Sequence, residues 1–169
     1  MSQTLFQNAP VTSAAQLWPD RVIPYIIDPD FNDPTPCVIK TAMLHIELES
    51  CITFTPKQDY HKHYLNITFA DGCSSSSIGF KSGHNANIVS LGNACLKFGL
   101  ILHELMHSIG FYHEHTRSDR DQYLKVNLDN AANAVTYEKQ NASQERIWSR
   151  YDVDSVMHYG PENRKTGNL

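Results

Sequence analysis

His103-Glu104-Leu105-Met106-His107-Ser108-Ile109-Gly110-Phe111-Tyr112-His113 sets three imidazoles and one carboxylate at the spacing of a metal site. His103 and His107 are four residues apart, so a helix over this stretch projects both from one face on successive turns. Ile101, Leu102, Leu105 and Met106 then form the opposite, core-facing side of a helix predicted over residues 98–109. Gly110 supplies the backbone freedom that lets the chain leave the helix abruptly and swing His113 back toward the same ion. Three protein nitrogens leave one coordination position for water, the signature of a catalytic zinc site and not of a structural one. Glu104, beside the first ligand, is placed to act as general base.

Nine histidines occur in 169 residues, and some are ordinary surface or core residues. The five fixed residues of H-E-x-x-H-x-x-G-x-x-H nevertheless arise by chance on the order of once in ten thousand such chains. The motif continues as Glu114-His115-Thr116-Arg117-Ser118-Asp119-Arg120-Asp121-Gln122-Tyr123, and Ser155-Val156-Met157-His158-Tyr159 follows downstream. Upstream lie Leu17-Trp18-Pro19 and Val22-Ile23-Pro24-Tyr25. With these stretches the chain resembles the astacin family of metzincin zinc endopeptidases over about residues 9–160. Ser155 to Tyr159 resembles the family's Met-turn.

The composition agrees. A 41% hydrophobic content is enough to bury one substantial core. A net charge of −4, with the 14 basic residues scattered, argues against a nucleic-acid partner. No apolar run reaches the length of a membrane span. Runs rich in β-branched and aromatic residues predict strands at residues 22–27, 52–55, 64–69 and 88–91. A first helix is predicted from the Asp33-Pro34-Thr35-Pro36 stretch, where a side-chain N-cap and a proline are favourable, to Ser50. Ile39, Ala42, Met43 and Ile46 form its core face. A short helix is expected over residues 130–140. The elements make an α+β chain, and the resemblance implies a zincin-like fold: a twisted mixed sheet with two long helices in an upper subdomain (residues 9–110), a cleft, and an irregular lower subdomain (residues 111–169) carrying the Met-turn.

The resemblance also assigns roles. His103, His107 and His113 bind one zinc per chain, and Glu104 activates a zinc-bound water for attack on an internal peptide bond. Tyr159 coordinates zinc at rest and swings to stabilise the oxyanion, the alternative being a buried hydroxyl with a structural partner. Met157 packs under the site. Glu114 receives the charged amino terminus of a trimmed chain, or pairs with Arg117 or Arg120. Residues 1–8 are then a propeptide remnant or added segment. Ile88, Val89, Ser90 and Leu91 are expected at the upper rim of the cleft, where an extended protein or peptide substrate adds as a strand. Cys73 and Cys95 match a family disulfide, which implies an oxidising, secreted setting, and the chain is expected to act as a monomer. Cys51 matches a cysteine whose partner lies near a C-terminus beyond Leu169, and Cys37, about 20 Å away along one helix, is no substitute. Asn66-Ile67-Thr68 and Asn141-Ala142-Ser143 are sequons compatible with secretion. Because the chain stops ten residues after Tyr159, the lower subdomain is expected to be incomplete and stability reduced. A zinc-bound but weakly active fragment and a peptide- or matrix-binding module are the alternatives to an active peptidase.

Overall fold

A computed structural model describes residues 10–11, 13–127 and 134–160. Strand β1 (Val22–Ile27) leads into helix α1 (Thr35–Leu48), followed by β2 (Thr53–Pro56), β3 (Tyr64–Thr68), β4 (Cys73–Ser75), β5 (Ala86–Leu91) and helix α2 (Phe98–Ile109). The sheet order is β2-β1-β3-β5-β4. Four strands run parallel, while β4 lies antiparallel against β5, with Cys73 opposite Leu91 and Ser75 opposite Val89.

Alternation along the strands decides what is covered. Leu65 and Ile67 of β3 and Val89 and Leu91 of β5 are buried, whereas Ile26 and Ile88 stay exposed. The buried side chains join Ile39, Ala42, Met43 and Ile46 of α1 and Ile101, Leu102, Leu105 and Met106 of α2 in one core. Each such aliphatic side chain contributes about 1.5–3 kcal/mol when removed from water. Helix α1 starts with Pro36 in its first turn as expected, but no side chain caps that end. It is tied to β2 instead at its other end, where Glu47 Oε1 accepts a hydrogen bond from the Phe54 amide at 2.6 Å.

Three readings of the sequence are corrected. Strand β4 is absent from the predicted elements: a Cys-Ser-Ser segment has little β-propensity, and pairing with β5 holds it extended. Residues 88–91 are not the rim of the sheet, because β5 has β3 on one side and β4 on the other. No strand among the described residues pairs with the outer edge of β4. The helix expected over residues 130–140 is, in its described part, one 3-10 turn at Ala134–Tyr137; residues 130–133 lie outside the described residues, as do residues 1–9 and 161–169. Cys73 and Cys95 form a disulfide, which ties the edge strand to the turn preceding α2. Cys37 and Cys51 are exposed and form no disulfide among the described residues. No helix among the described residues is long and apolar enough to cross a membrane.

Candidate active site

Helix α2 delivers the first two histidines because its other face is committed to the core. It ends at Gly110, whose φ of 115° is left-handed. The Gly110 amide donates to His107 O (3.0 Å) and the Phe111 amide to Met106 O (3.1 Å), the paired bonds of a Schellman ending. The terminal helix carbonyls are taken up further by the Gly79 amide on His107 O (2.9 Å) and by the Trp18 indole on Ser108 O (2.8 Å). The turn brings His113 to the first two ligands. Its Nε2 lies 3.1 Å from Nε2 of His103 and 3.1 Å from Nε2 of His107.

His103 Nδ1 donates to Val156 O (2.8 Å) and His107 Nδ1 donates to Phe111 O (2.7 Å). Each ring thereby keeps its proton on Nδ1 and turns a bare Nε2 lone pair toward the shared point. Burial holds all three rings neutral: it lowers the pKa of His103, brings His107 down to about 4, and, with the neighbouring imidazoles, lowers His113 further. Lone pairs facing one another in a half-buried pocket repel unless a cation lies between them. The ligand atoms all fall within 4.8 Å of one another. Nitrogens around a tetrahedral zinc, at Zn–N of about 2.0–2.1 Å, stand about 3.4 Å apart, so the triad fits zinc.

Glu104 is 6% exposed, and its Oε2 has no hydrogen-bond partner among the described residues. Burial pushes its carboxyl up to about 7. The cleft beside it is lined by Cys73, Ser74 and Ser75 of β4, by the histidines, and by Tyr159. Tyr159 stands with its ring 4.5 Å from that of His113, and burial, followed by the Glu104 charge, raises its phenol. Met157 is fully buried, and its carbonyl accepts the Glu114 amide at 2.9 Å. The turn containing Val156 and Met157 is thus bonded both to a metal ligand and to the residue after His113.

Glu114 and Arg117 form a buried ion pair at 2.8 Å, with side chains 0% and 1% exposed. Arg117 also clasps Asp119 with two nitrogens (3.0 and 2.8 Å) and donates to the carbonyls of Ser149 (3.1 Å) and Arg150 (3.3 Å). Glu114 Oε1 accepts the Asp152 amide at 3.0 Å as well, but its buried Oε2 has no partner among the described residues. Arg120 is directed elsewhere, to the carbonyls of His115 (2.9 Å) and Tyr137 and to Asp121 (3.1 Å). Asp119, Arg120 and Asp121 are therefore structural charges.

Sequence reasoning missed three contributors. Ser74 and Ser75 reach the cleft only because β4 joins β5, and no local pattern announces that pairing. His115, next to the third ligand, packs against Tyr159 with ring centroids 4.3 Å apart; its burial is not legible in a polar stretch.

The same motif and fold recur in known proteins. A family model described as Astacin, a peptidase family, matches residues 10–168. Zinc metalloproteinase nas-39 of Caenorhabditis elegans is 34% identical over 163 residues, covering 95% of this chain and 18% of that protein. Bone morphogenetic protein 1 of Xenopus laevis is 35% identical over 156 residues, covering 90% and 22%. This chain thus spans about a fifth of these relatives. High choriolytic enzyme 1, a hatching-enzyme zinc protease of the medaka Oryzias latipes, superposes with a TM-score of 0.80 at 31% identity, covering 90% of this chain and 78% of that one.

Proposed function

Because this chain belongs to the astacin family of peptidases, we propose that it is a zinc endopeptidase that hydrolyses internal bonds of proteins held in extended form. The observation that carries this reading is the convergence of three Nε2 atoms beside a buried carboxylate in an open cleft. His103, His107 and His113 hold one zinc per chain. When bound, zinc supplies a Lewis acid that acidifies water and polarises a carbonyl. Glu104, with its unpartnered Oε2 in the cleft lining, takes a proton from the attacking water and returns it to the leaving amine. The Tyr159 hydroxyl donates to the developing oxyanion, a contact made only as charge builds. Met157 fills the space under the histidines and completes the Met-turn.

The substrate backbone pairs with the outer edge of β4, which lines the cleft, in place of the inner strand Ile88–Leu91. The cleft then divides an upper subdomain, residues 9–110, from a lower one, residues 111–169. The orphan Glu114 Oε2 is the receptor for a charged amino terminus left when residues 1–8 are removed. Pro10 and Val11 support this, since they already bridge to Phe111 and Glu145. The disulfide fits an oxidising, extracellular setting.

The test is metal content by mass spectrometry together with cleavage of a quenched peptide library, with and without a zinc chelator. One zinc and chelator-sensitive internal cleavage are expected. Glu104→Gln should lower kcat by about 10²- to 10⁴-fold while zinc content and peptide affinity persist. Equal turnover by the variant would overturn the mechanism, and a folded chain without zinc would overturn the site.

A further inference from the structure

We propose that His115 is a positioning residue for Tyr159, setting where the phenol stands in the cleft through the Tyr159 main chain and ring. The inference rests on Tyr159 acting in the reaction, as proposed above. His115 is 1% exposed and is not among the three converging ligands. Its Nδ1 accepts the Tyr159 amide N–H at 3.3 Å, and because an amide can only donate, Nδ1 must present a lone pair. The ring proton therefore sits on Nε2, which donates to Thr136 O at 3.2 Å. One ring thus joins the Thr136 segment to Tyr159 with its tautomer set by both partners.

Ring packing adds direction. His115 lies against Tyr159 at 4.3 Å and 31°, and against His113 at 5.0 Å and 24°. Tyr159 is held from its other main-chain atom too, since its carbonyl accepts from His158 Nδ1 at 2.6 Å while His158 Nε2 pairs with the Tyr151 hydroxyl at 2.8 Å. Residues 161–169 lie outside the described residues, so the described anchors of this tyrosine's backbone are these two histidines. Of the two, only His115 reaches it from another part of the chain and also packs on the ring. A hydroxyl that must meet a developing charge loses rate steeply with displacement, which makes the placement of this backbone a determinant of kcat and leaves substrate binding largely untouched.

The amide side chains of asparagine and glutamine separate the two bonds. His115→Asn sets an acceptor oxygen near the place of Nδ1 and can keep the Tyr159 contact. His115→Gln sets its amide near the place of Nε2 and can keep only the Thr136 contact. In the zinc-loaded chain, His115→Asn is expected to retain kcat within about threefold and His115→Gln to lose about tenfold, with KM unchanged in both. In a Tyr159→Phe background the Asn and Gln variants should differ by less than about twofold, since no hydroxyl remains to place. In ¹⁵N-histidine-labelled protein the His115 resonances should show the Nε2–H tautomer, a readout independent of turnover.

Equal kcat for the Asn and Gln variants, an undiminished difference in the Tyr159→Phe background, or an Nδ1–H tautomer would overturn the assignment of His115 alone. Parental kcat in Tyr159→Phe by itself would instead remove the role of Tyr159 and the inference with it.

Discussion

Before Gly110 and after it, the chain buries different kinds of side chain. Residues 22–109 bury a continuous aliphatic core, from Ile23 through Leu65, Ile67 and Val89 to Leu105 and Met106. Among the described residues of 111–160, the large apolar side chains that are buried are Phe111 and Met157, and the other buried groups are Glu114, His115, Thr116, Arg117, Arg120 and Glu145. In the first part, shape and area set stability, and a substitution that keeps volume is tolerated. In the second, buried charged and polar groups such as Arg117 and Glu114 are held by specific partners, so removing one partner strands the other. The metal ligands straddle the junction, two on the rigid helix and one on the polar side. A single bound ion therefore clamps the two regimes together.

Three substitutions test that contrast. Arg117→Leu leaves Glu114 and Asp119 without their cation and is expected to cost about 3–5 kcal/mol. Amide exchange should accelerate first across residues 114–157 while the sheet stays protected. Simultaneous loss of protection in both regions, read by hydrogen exchange, would break the comparison by showing one cooperative unit. Leu105→Ala, 1% exposed at the centre of the core, should cost about 3 kcal/mol through transfer and cavity terms. In denaturant it should lower the midpoint for the sheet and α2. A cost confined to residues 111–160 would contradict the division.

The smallest effect is expected at the junction. Gly110→Ala places a Cβ 3.2 Å from Val11 Cγ2 on a backbone with φ of 115°, which costs about 1–2 kcal/mol. Because the turn also aims His113, zinc affinity should fall with it. A competition titration returning the parental affinity would show that His113 reaches the ion without the left-handed turn, and that the junction is looser than described.

Legibility follows the same division. Helix α2 matches its predicted span because Ile101, Leu102, Leu105 and Met106 repeat at helical spacing. Strand β1 does as well, since Val22 to Ile27 is β-branched and aromatic in composition. Strand β4 is not legible, because Cys73–Ser75 carries no local preference and is extended only by its register on β5. The same non-locality misplaces the cleft rim: nothing within Ile88 to Leu91 tells whether one neighbour or two will pair with it. Glu114 illustrates the polar case. Two arginines follow it, at residues 117 and 120, and in an irregular stretch neither is singled out by sequence; the structure selects Arg117, which the carbonyls of Ser149 and Arg150 also hold.

By itself the sequence determined the donor set, since His103, Glu104, His107, Gly110 and His113 encode their geometry within one short stretch of local backbone. It also determined the family, and with it zinc. Tertiary structure decided what surrounds those groups: which strand edge faces the cleft, which arginine neutralises Glu114, and how His115 and His158 hold Tyr159. The physical reason is range. Helical spacing and a left-handed glycine act over a few residues, whereas pairing of β4, burial of a charge and the tautomer of an imidazole depend on partners brought together from distant parts of the chain.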